Sequence, residues 1–271
     1  NLSRLQTVIF EAHRFTWRRR LFYRRFLRIG MKIVVISQGI KDEFVKFGFS
    51  ADKILVAHDG GDIEQFDINV SKDQARAELR LPRDVFLVGY VGQLKTLGMS
   101  KGVDCLIEGF AIFHHGYPKS KLIIVGGAPE DIRESQQLAQ RLKIPDDAFI
   151  FIGRQPHSGI PKYLKAFDVL AMTYPDEPHF ARFMSPLKLF EYMASGRPII
   201  ASDLPSIREI LNEHSTFLIK PGDPRALATG IQQFINDSEL ASRLARQARI
   251  DVQRYTWQRR ADMILNFIKQ R

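Results

Sequence analysis

The chain has 271 residues, 45% of them hydrophobic and 26% charged, which excludes a disordered, collagen-like or coiled-coil protein and leaves room for about two domains at roughly 150 residues each. Its one cysteine, Cys105, excludes an internal disulfide and fits a reducing compartment, and no Cys/His cluster has zinc-ligand spacing. Forty Lys+Arg against 30 Asp+Glu leave a net charge of +10, which favours anionic partners. No apolar run approaches the roughly 20 residues needed to cross a bilayer. Asn1 to Phe10 has neither the length nor the order of a signal peptide. A cytoplasmic location is therefore expected.

In chain order, strand-like apolar runs at 6–11, 33–37 and 53–58 alternate with helical patterns near 16–29 and 38–47. Asp59-Gly60-Gly61-Asp62 then gives a strong turn signal, and polar sequence with Pro82 follows it. A domain boundary is placed at residues 60–61. After a helix at 73–79, strands are expected at 85–91, 121–126, 148–152, 167–172, 198–202 and 215–219. Helices near 102–115, 130–143, 160–166, 186–195, 205–212 and 223–236 lie between or after them, ahead of an all-helical tail over 238–270. Alternation of helices with strands too apolar to have a wet face predicts an α/β fold, with parallel sheets covered on both sides. Residues 1–60 hold only three expected strands, so that first domain is expected to be incomplete.

Between Ala12 and Lys41 there is no acidic residue, and arginines alternate with aromatics from Trp17 to Arg28. Three readings stand. The 16–28 stretch is a surface helix on anionic lipid at the inner membrane face, or a nucleic-acid contact, or a domain helix packed through Phe22 and Phe26 with solvated arginines.

In an open parallel sheet, ligands sit beyond the carboxyl ends of strands, where helix N-termini favour anions. Gly92 ends one expected strand. The long loop Gln93–Ser100 follows it, and Lys101-Gly102 opens a helix, a pattern that suits phosphate. A second helix start is marked by Ser185 as N-cap and Pro186 as first helical residue, with Gly196 and Pro198 at its end. Lys188 then lies in the first turn, where a cation opposes the helix dipole unless an anion binds. At 100° per residue, Leu187, Leu189, Phe190, Met193 and Ala194 form an apolar face, with Lys188, Glu191 and Tyr192 opposite. Glu191 suits a sugar-type diol. Equally, Lys188 and Glu191 form an ordinary i,i+3 surface pair.

The run from Ser185 to Glu209, SPLKLFEYMASGRPIIASDLPSIRE, resembles the donor-binding segment of the group 1 (family 4) retaining glycosyltransferases of GT-B fold. Gly89-Tyr90-Val91-Gly92 with Lys101-Gly102-Val103-Asp104 resembles the first strand and loop of their C-terminal domain. Val125-Gly126-Gly127, Phe151-Ile152-Gly153, and Ile36-Ser37 followed by Asp59-Gly60-Gly61-Asp62 and Phe66 add to the likeness, which spans about residues 7–270.

The resemblance implies two Rossmann-like units. Residues 1–60 would be the end of an acceptor domain, 61–254 a nucleotide-sugar-binding domain, and 255–271 a tail helix crossing back to the first. It implies transfer of a hexose from a UDP- or GDP-sugar to a glycan or lipid-linked acceptor, with retention and with neither metal nor cofactor. Carried over by position, Lys101 and Lys188 hold the diphosphate, Glu191 the ribose hydroxyls, and backbone around Gly153 and Arg154 the base. Gly92 lets the pyrophosphate approach, His13 faces the donor sugar, and Arg182 also reaches the phosphate. Two positions depart from the pattern: the family's usual Glu eight residues before Glu191 is Phe183, and the arginine that often follows the Gly92 position is Gln93. Lys188 is then the principal phosphate ligand. Little or no transfer is expected from the chain alone. The alternatives are a basic nucleic-acid-binding protein and a GT-B nucleotide-sugar epimerase.

Overall fold

The computed structural model describes residues 8–270. A small parallel sheet comprises β1 (Ile9–Ala12), β2 (Lys32–Val35) and β3 (Ile54–Val56), in that spatial order. Residues 6 and 7 of the expected first strand lie outside the described residues. The crossovers are α1 (Arg20–Arg28), entered through a 3-10 turn at Trp17–Arg19, and α2 (Gln38–Phe47). Ser37 caps α2, its hydroxyl accepting from the Ile40 N–H at 3.4 Å.

α1 does not pack through Phe22 as one sequence reading held. Tyr23, Phe26 and Leu27 make the i, i+3, i+4 stripe that meets the core, so Phe22 falls on the flank, 64% exposed. Trp17, Leu21 and Ile29 are exposed with it.

The segment expected to break the pattern carries two short helices, α3 (Ile63–Phe66) and α4 (Lys72–Glu78), the latter closed by a Ser71/Gln74 capping box. Beyond it comes β4 (Phe86–Val91). The loop after β4 folds into an unanticipated antiparallel pair, β5 (Lys95–Thr96) and β6 (Met99–Ser100). Then follow α5 (Val103–Gly116), β7 (Ser120–Val125), α6 (Pro129–Arg141), β8 (Phe149–Ile152), α7 (Ile160–Ala166) and β9 (Val169–Met172). The unpredicted α8 (Pro178–Arg182), then α9 (Leu187–Ser195), β10 (Ile199–Ser202), α10 (Pro205–Arg208), β11 (Phe217–Ile219) and α11 (Pro224–Asn236) complete this unit with α12 (Ser238–Asp251). The expected tail is broken by a 3-10 turn at Val252–Arg254 before α13 (Trp257–Lys269).

The six main strands are parallel in the order β11-β10-β9-β4-β7-β8. Side chains alternate between the two faces as a pleat requires. Leu87, Val91, Ile123 and Met172 join the cluster under α4, α7 and α9, whereas Val88, Tyr90, Leu122 and Ala171 join the one under α5 and α11. The fold is α/β with helices on both faces of a parallel sheet. A buried ion group fixes one end of this sheet: Asp168 accepts from Arg76 and Lys72, both at 2.6 Å, and from the Leu87 N–H at 2.7 Å.

The two units meet along two adjacent connections. Gly61 donates to the Tyr255 carbonyl at 2.8 Å, and a Cβ on Gly60 would stand 2.6 Å from the Trp257 nitrogen, so the Gly-Gly turn signal serves a close backbone approach. α13 lies on the small sheet: Phe267 packs with Val34 and Ala57, and the Lys32 ammonium donates to the Phe267 carbonyl at 2.7 Å and to that of Gln270.

Candidate functional site

After β4 the chain crosses to β7 and β8 on one side, then returns to β9, β10 and β11 on the other. The carboxyl ends of β4 and β9 therefore flank the topological switch point, where open parallel sheets offer a crevice. Gly92 turns away from β4 at φ +135°, a conformation other residues avoid. Across the crevice, the Thr173 hydroxyl donates to the Gly102 carbonyl at 2.7 Å, and a Cβ on Gly102 would lie 1.7 Å from the Thr173 oxygen. This strap brings Lys101 beside the switch point.

α9 is clamped over the same edge. The Tyr192 hydroxyl accepts from the Val91 N–H at 2.8 Å and donates to the Val91 carbonyl at 3.3 Å. Leu189, Phe190, Met193 and Ala194 are buried as the apolar face predicts, but Tyr192 is buried with them and Leu187 is 48% exposed. The hydrogen-bonded seat of Tyr192 draws it into the buried face beyond the apolar stripe. Lys188, one turn before Tyr192, is thereby carried over the end of β4.

The helix start also differs from expectation. α9 begins at Leu187, Pro186 occupies its N-cap position without a side-chain cap, and the Ser185 hydroxyl instead accepts from the Asp59 N–H at 2.9 Å. Ser185 thus joins the two units, and the first-turn N–H groups of α9 lack the side-chain acceptor a serine cap would give.

The Lys188 ammonium lies 3.9 Å from the Tyr90 ring centroid and 4.8 Å from that of Tyr174, and its nitrogen has no hydrogen-bond partner among the described residues. Burial holds its pKa well below the ordinary lysine value; Lys101 pushes the same way and Glu191 opposes. Cation–π contact contributes about 0.5–2 kcal/mol, whereas removing an ammonium from water costs several. The two rings therefore leave the site short of negative charge. Burial lowers the pKa of Lys101 as well.

Lys188 lines a cleft of about 390 Å³ whose walls also include Gly92, Arg154, Gln155, His157 and Glu191, and Lys101 lies outside that lining. Glu191 Oε1 lies 3.2 Å from His157 Nε2, and His157 Nδ1 lies 3.3 Å from the Gln65 amide. Gly153 precedes this wall at the end of β8, and its carbonyl takes a long bond from the Gln155 amide at 3.5 Å.

Two residues singled out from the sequence stand apart from the cleft. The Arg182 guanidinium is 3.6 Å from Asp42 of α2, and its carbonyl accepts from the Ser37 hydroxyl at 2.9 Å. His13, just past β1, pairs with Glu11 at 2.9 Å, and Glu11 also binds Arg260 of α13 at 2.7 Å. Phe183, at the position of the missing carboxylate, packs against the aromatic core of the small sheet.

Sequence reasoning gave no role to Tyr90, Tyr174, Tyr192 or His157. A tyrosine in an apolar strand reads as core, and only the seating of α9 places two rings beneath Lys188. His157 follows a Gly-Arg-Gln-Pro turn, and nothing in its spacing to Glu191 announces their contact.

Comparison with known proteins agrees with this geometry. Over 234 residues the chain is 27% identical to a D-inositol 3-phosphate glycosyltransferase of Stackebrandtia nassauensis, covering 79% of this chain and 48% of that protein. It is 22% identical over 254 residues to the capsular polysaccharide biosynthesis glycosyltransferase CapM of Staphylococcus aureus, covering 88% of this chain and 62% of that one. The chain spans about half the length of the first of these curated relatives. Among solved structures, that of Anabaena Alr3699/HepE in complex with UDP superimposes with a TM-score of 0.79 over 95% of this chain and 71% of that one, at 22% identity. The structural neighbours are GT-B glycosyltransferases, and the two-sheet architecture is theirs. Residues 71–251, more than half of the chain, match the family described as glycosyl transferases group 1, and the chain belongs to that family.

Proposed function

We propose that residues 61–254 bind the nucleotide-sugar donor of a retaining, metal-independent hexosyltransferase, and that the unit built on β1–β3 belongs to its acceptor side. One observation carries the reading: a buried lysine ammonium without a hydrogen-bonding partner among the described residues, set beside a positive-φ glycine at the switch point of a parallel sheet. A diphosphate is the ligand that completes such a place. It supplies the acceptors that Lys188 lacks, lies near the uncapped first turn of α9, and meets a second cation in Lys101. Glu191, at the cleft wall with His157, is placed to take the paired hydroxyls of a ribose. Arg154 and the backbone at Gly153 border the position for a base. The UDP held by Anabaena Alr3699/HepE, a chain of the same fold, supports a nucleotide ligand.

The chemistry follows from charge. Breaking the sugar–phosphate bond leaves a developing oxocarbenium ion and a leaving diphosphate, and positioned cations that strengthen their contact as that charge grows lower the barrier. Lys188 and Lys101 supply this role without a metal ion. The capsular polysaccharide biosynthesis named for CapM supports a glycan acceptor. Calorimetric titration with UDP, GDP and their sugars, in the presence of a chelator, tests the assignment: binding abolished by chelation, or as tight in Lys188→Ala as in the parent chain, defeats it.

The membrane reading of the arginine-rich helix gains support from exposure. Trp17, Leu21, Phe22 and Ile29 stand in solvent among Arg18, Arg19, Arg20, Arg24, Arg25 and Arg28, the pairing of apolar and cationic groups that suits an anionic lipid surface. Among the described residues no helix is long and apolar enough to cross a membrane. Co-sedimentation with phosphatidylglycerol vesicles but not with phosphatidylcholine vesicles is expected, and equal recovery with both defeats this part.

A further inference from the structure

A second concave feature lies at the opposite end of the main sheet from the nucleotide cleft. It is a hollow of about 500 Å³ beside the amino ends of β9 and β10, between α9, α12 and the start of α4. Five cationic side chains line it: Lys72, Lys165, Arg197, Arg246 and Arg249. The nearby carboxylates are largely committed. Asp168 is shared by Lys72, Arg76 and a backbone N–H; Asp67 pairs with Arg249 at 2.6 Å and with Lys165 at 4.0 Å. Asp73 acts on Arg197 only through space.

Arg197 and Arg246 have no carboxylate partner among the described residues, and the Arg197 Nε is buried with its hydrogen unaccepted. An unsatisfied buried donor on a cation is costly and rare in folded proteins. Burial holds the pKa of Lys165 down; Asp67 opposes it, and Arg249 and Arg197 add to it. The missing component is an oxyanion able to accept from several donors at once. Phosphate has that geometry and charge. The hollow is concave, with a volume of about 500 Å³, beyond that of a bare ion.

We infer that this hollow binds a phosphate-bearing small molecule, gripped between Arg197 at its floor and Arg246 at its rim, as a site separate from the nucleotide cleft. Its ligand is a soluble phosphorylated metabolite or phosphate itself rather than a lipid headgroup.

The test uses Lys188→Ala, in which the diphosphate cleft is disabled, as the background for calorimetric titration with inorganic phosphate and with pyrophosphate. Binding is expected to persist in that background, to weaken by about tenfold or more when Arg246→Glu is added, and to weaken likewise with Arg197→Gln. Arg246 is exposed, so its reversal leaves folding intact, and an unchanged melting temperature checks this. In the parent chain the same two substitutions should leave UDP affinity unchanged. Absence of phosphate and pyrophosphate binding in the Lys188→Ala background overturns the proposal, as does equal binding with and without Arg246→Glu. Retention on phosphatidylglycerol vesicles that is lost with Arg246→Glu, with no response to either soluble ion, assigns the hollow to a lipid headgroup and overturns it too. Loss of UDP binding in Lys188→Ala is a separate readout, so the two assignments stand or fall independently.

Discussion

The Lys188 ammonium rests 3.9 Å above the Tyr90 ring, enclosed and with no hydrogen-bond acceptor among the described residues. Its charge is thus unstable until an anion arrives. Removing it should weaken UDP or GDP binding by about 2–4 kcal/mol, as for other desolvated charge partners. Lys188→Arg should restore only part of the loss, because a longer, planar guanidinium does not reproduce the compact point charge of an ammonium. Calorimetry on the two variants checks both statements.

The same burial gives a proton signature. With its pKa held well below the ordinary lysine value in the empty cleft, Lys188 should take up a proton as a diphosphate binds and raises that pKa. Titrations in buffers of different ionisation enthalpy should show net proton uptake that grows as pH rises, and Lys188→Ala should abolish it.

Glu191 contacts His157 at 3.2 Å in the cleft wall. If its carboxylate takes the ribose hydroxyls, Glu191→Gln should cost about 1.5–3 kcal/mol in affinity for a ribonucleotide. The loss should be much smaller for inorganic pyrophosphate, which has no diol. Equal losses for both ligands would reassign Glu191 to a purely electrostatic task.

Glu209 lies between the units, accepting from the Gln38 N–H at 2.9 Å with His58 Nε2 at 3.6 Å. Burial raises its pKa to about 7, and Asp42 adds to this against the Gln38 bond. Because the folded carboxyl holds its proton to higher pH than the unfolded one, the stability it confers is full below the unfolded value of about 4.5 and is lost as pH rises through about 7. Thermal melts from pH 5 to 8 should show this decline, and Glu209→Gln should flatten it.

Gly102→Ala should be severely destabilising, because the new Cβ would sit 1.7 Å from the Thr173 oxygen at φ +80°. A loss of about 2–4 kcal/mol is expected from strain together with the broken strap. Chemical denaturation checks the size. A near-neutral effect would mean that the Lys101 loop is free to move off β9.

The β/α alternation was legible because each main strand is an apolar run bounded by turn residues. The helix that carries Lys188 and Glu191 was legible because Gly196 and Pro198 mark its end, and its reading as a donor segment came from the resemblance of residues 185–209 to the family. Three features were hidden for physical reasons. The seat of Tyr192 on Val91 is tertiary and adds a polar-tipped residue to a buried face that the apolar periodicity alone marks narrower. Ser185 looks like a cap in any window of sequence, yet its hydroxyl serves Asp59, distant in the chain. The basic hollow draws Lys72, Arg197 and Arg246 from three separate helical regions, so no local motif marks it.

Phe267 fills the face of the small sheet beside Val34 and Ala57, and burying such a ring contributes about 1.5–3 kcal/mol. It belongs to the last helix described. During synthesis from the amino terminus, β1, β2 and β3 emerge before the larger unit, while the helix that seals one of their faces emerges after it. The smaller unit must therefore wait, with Val34 and Ala57 uncovered, until α13 has been made. Its folding is tied to synthesis of the larger unit that lies between its own pieces.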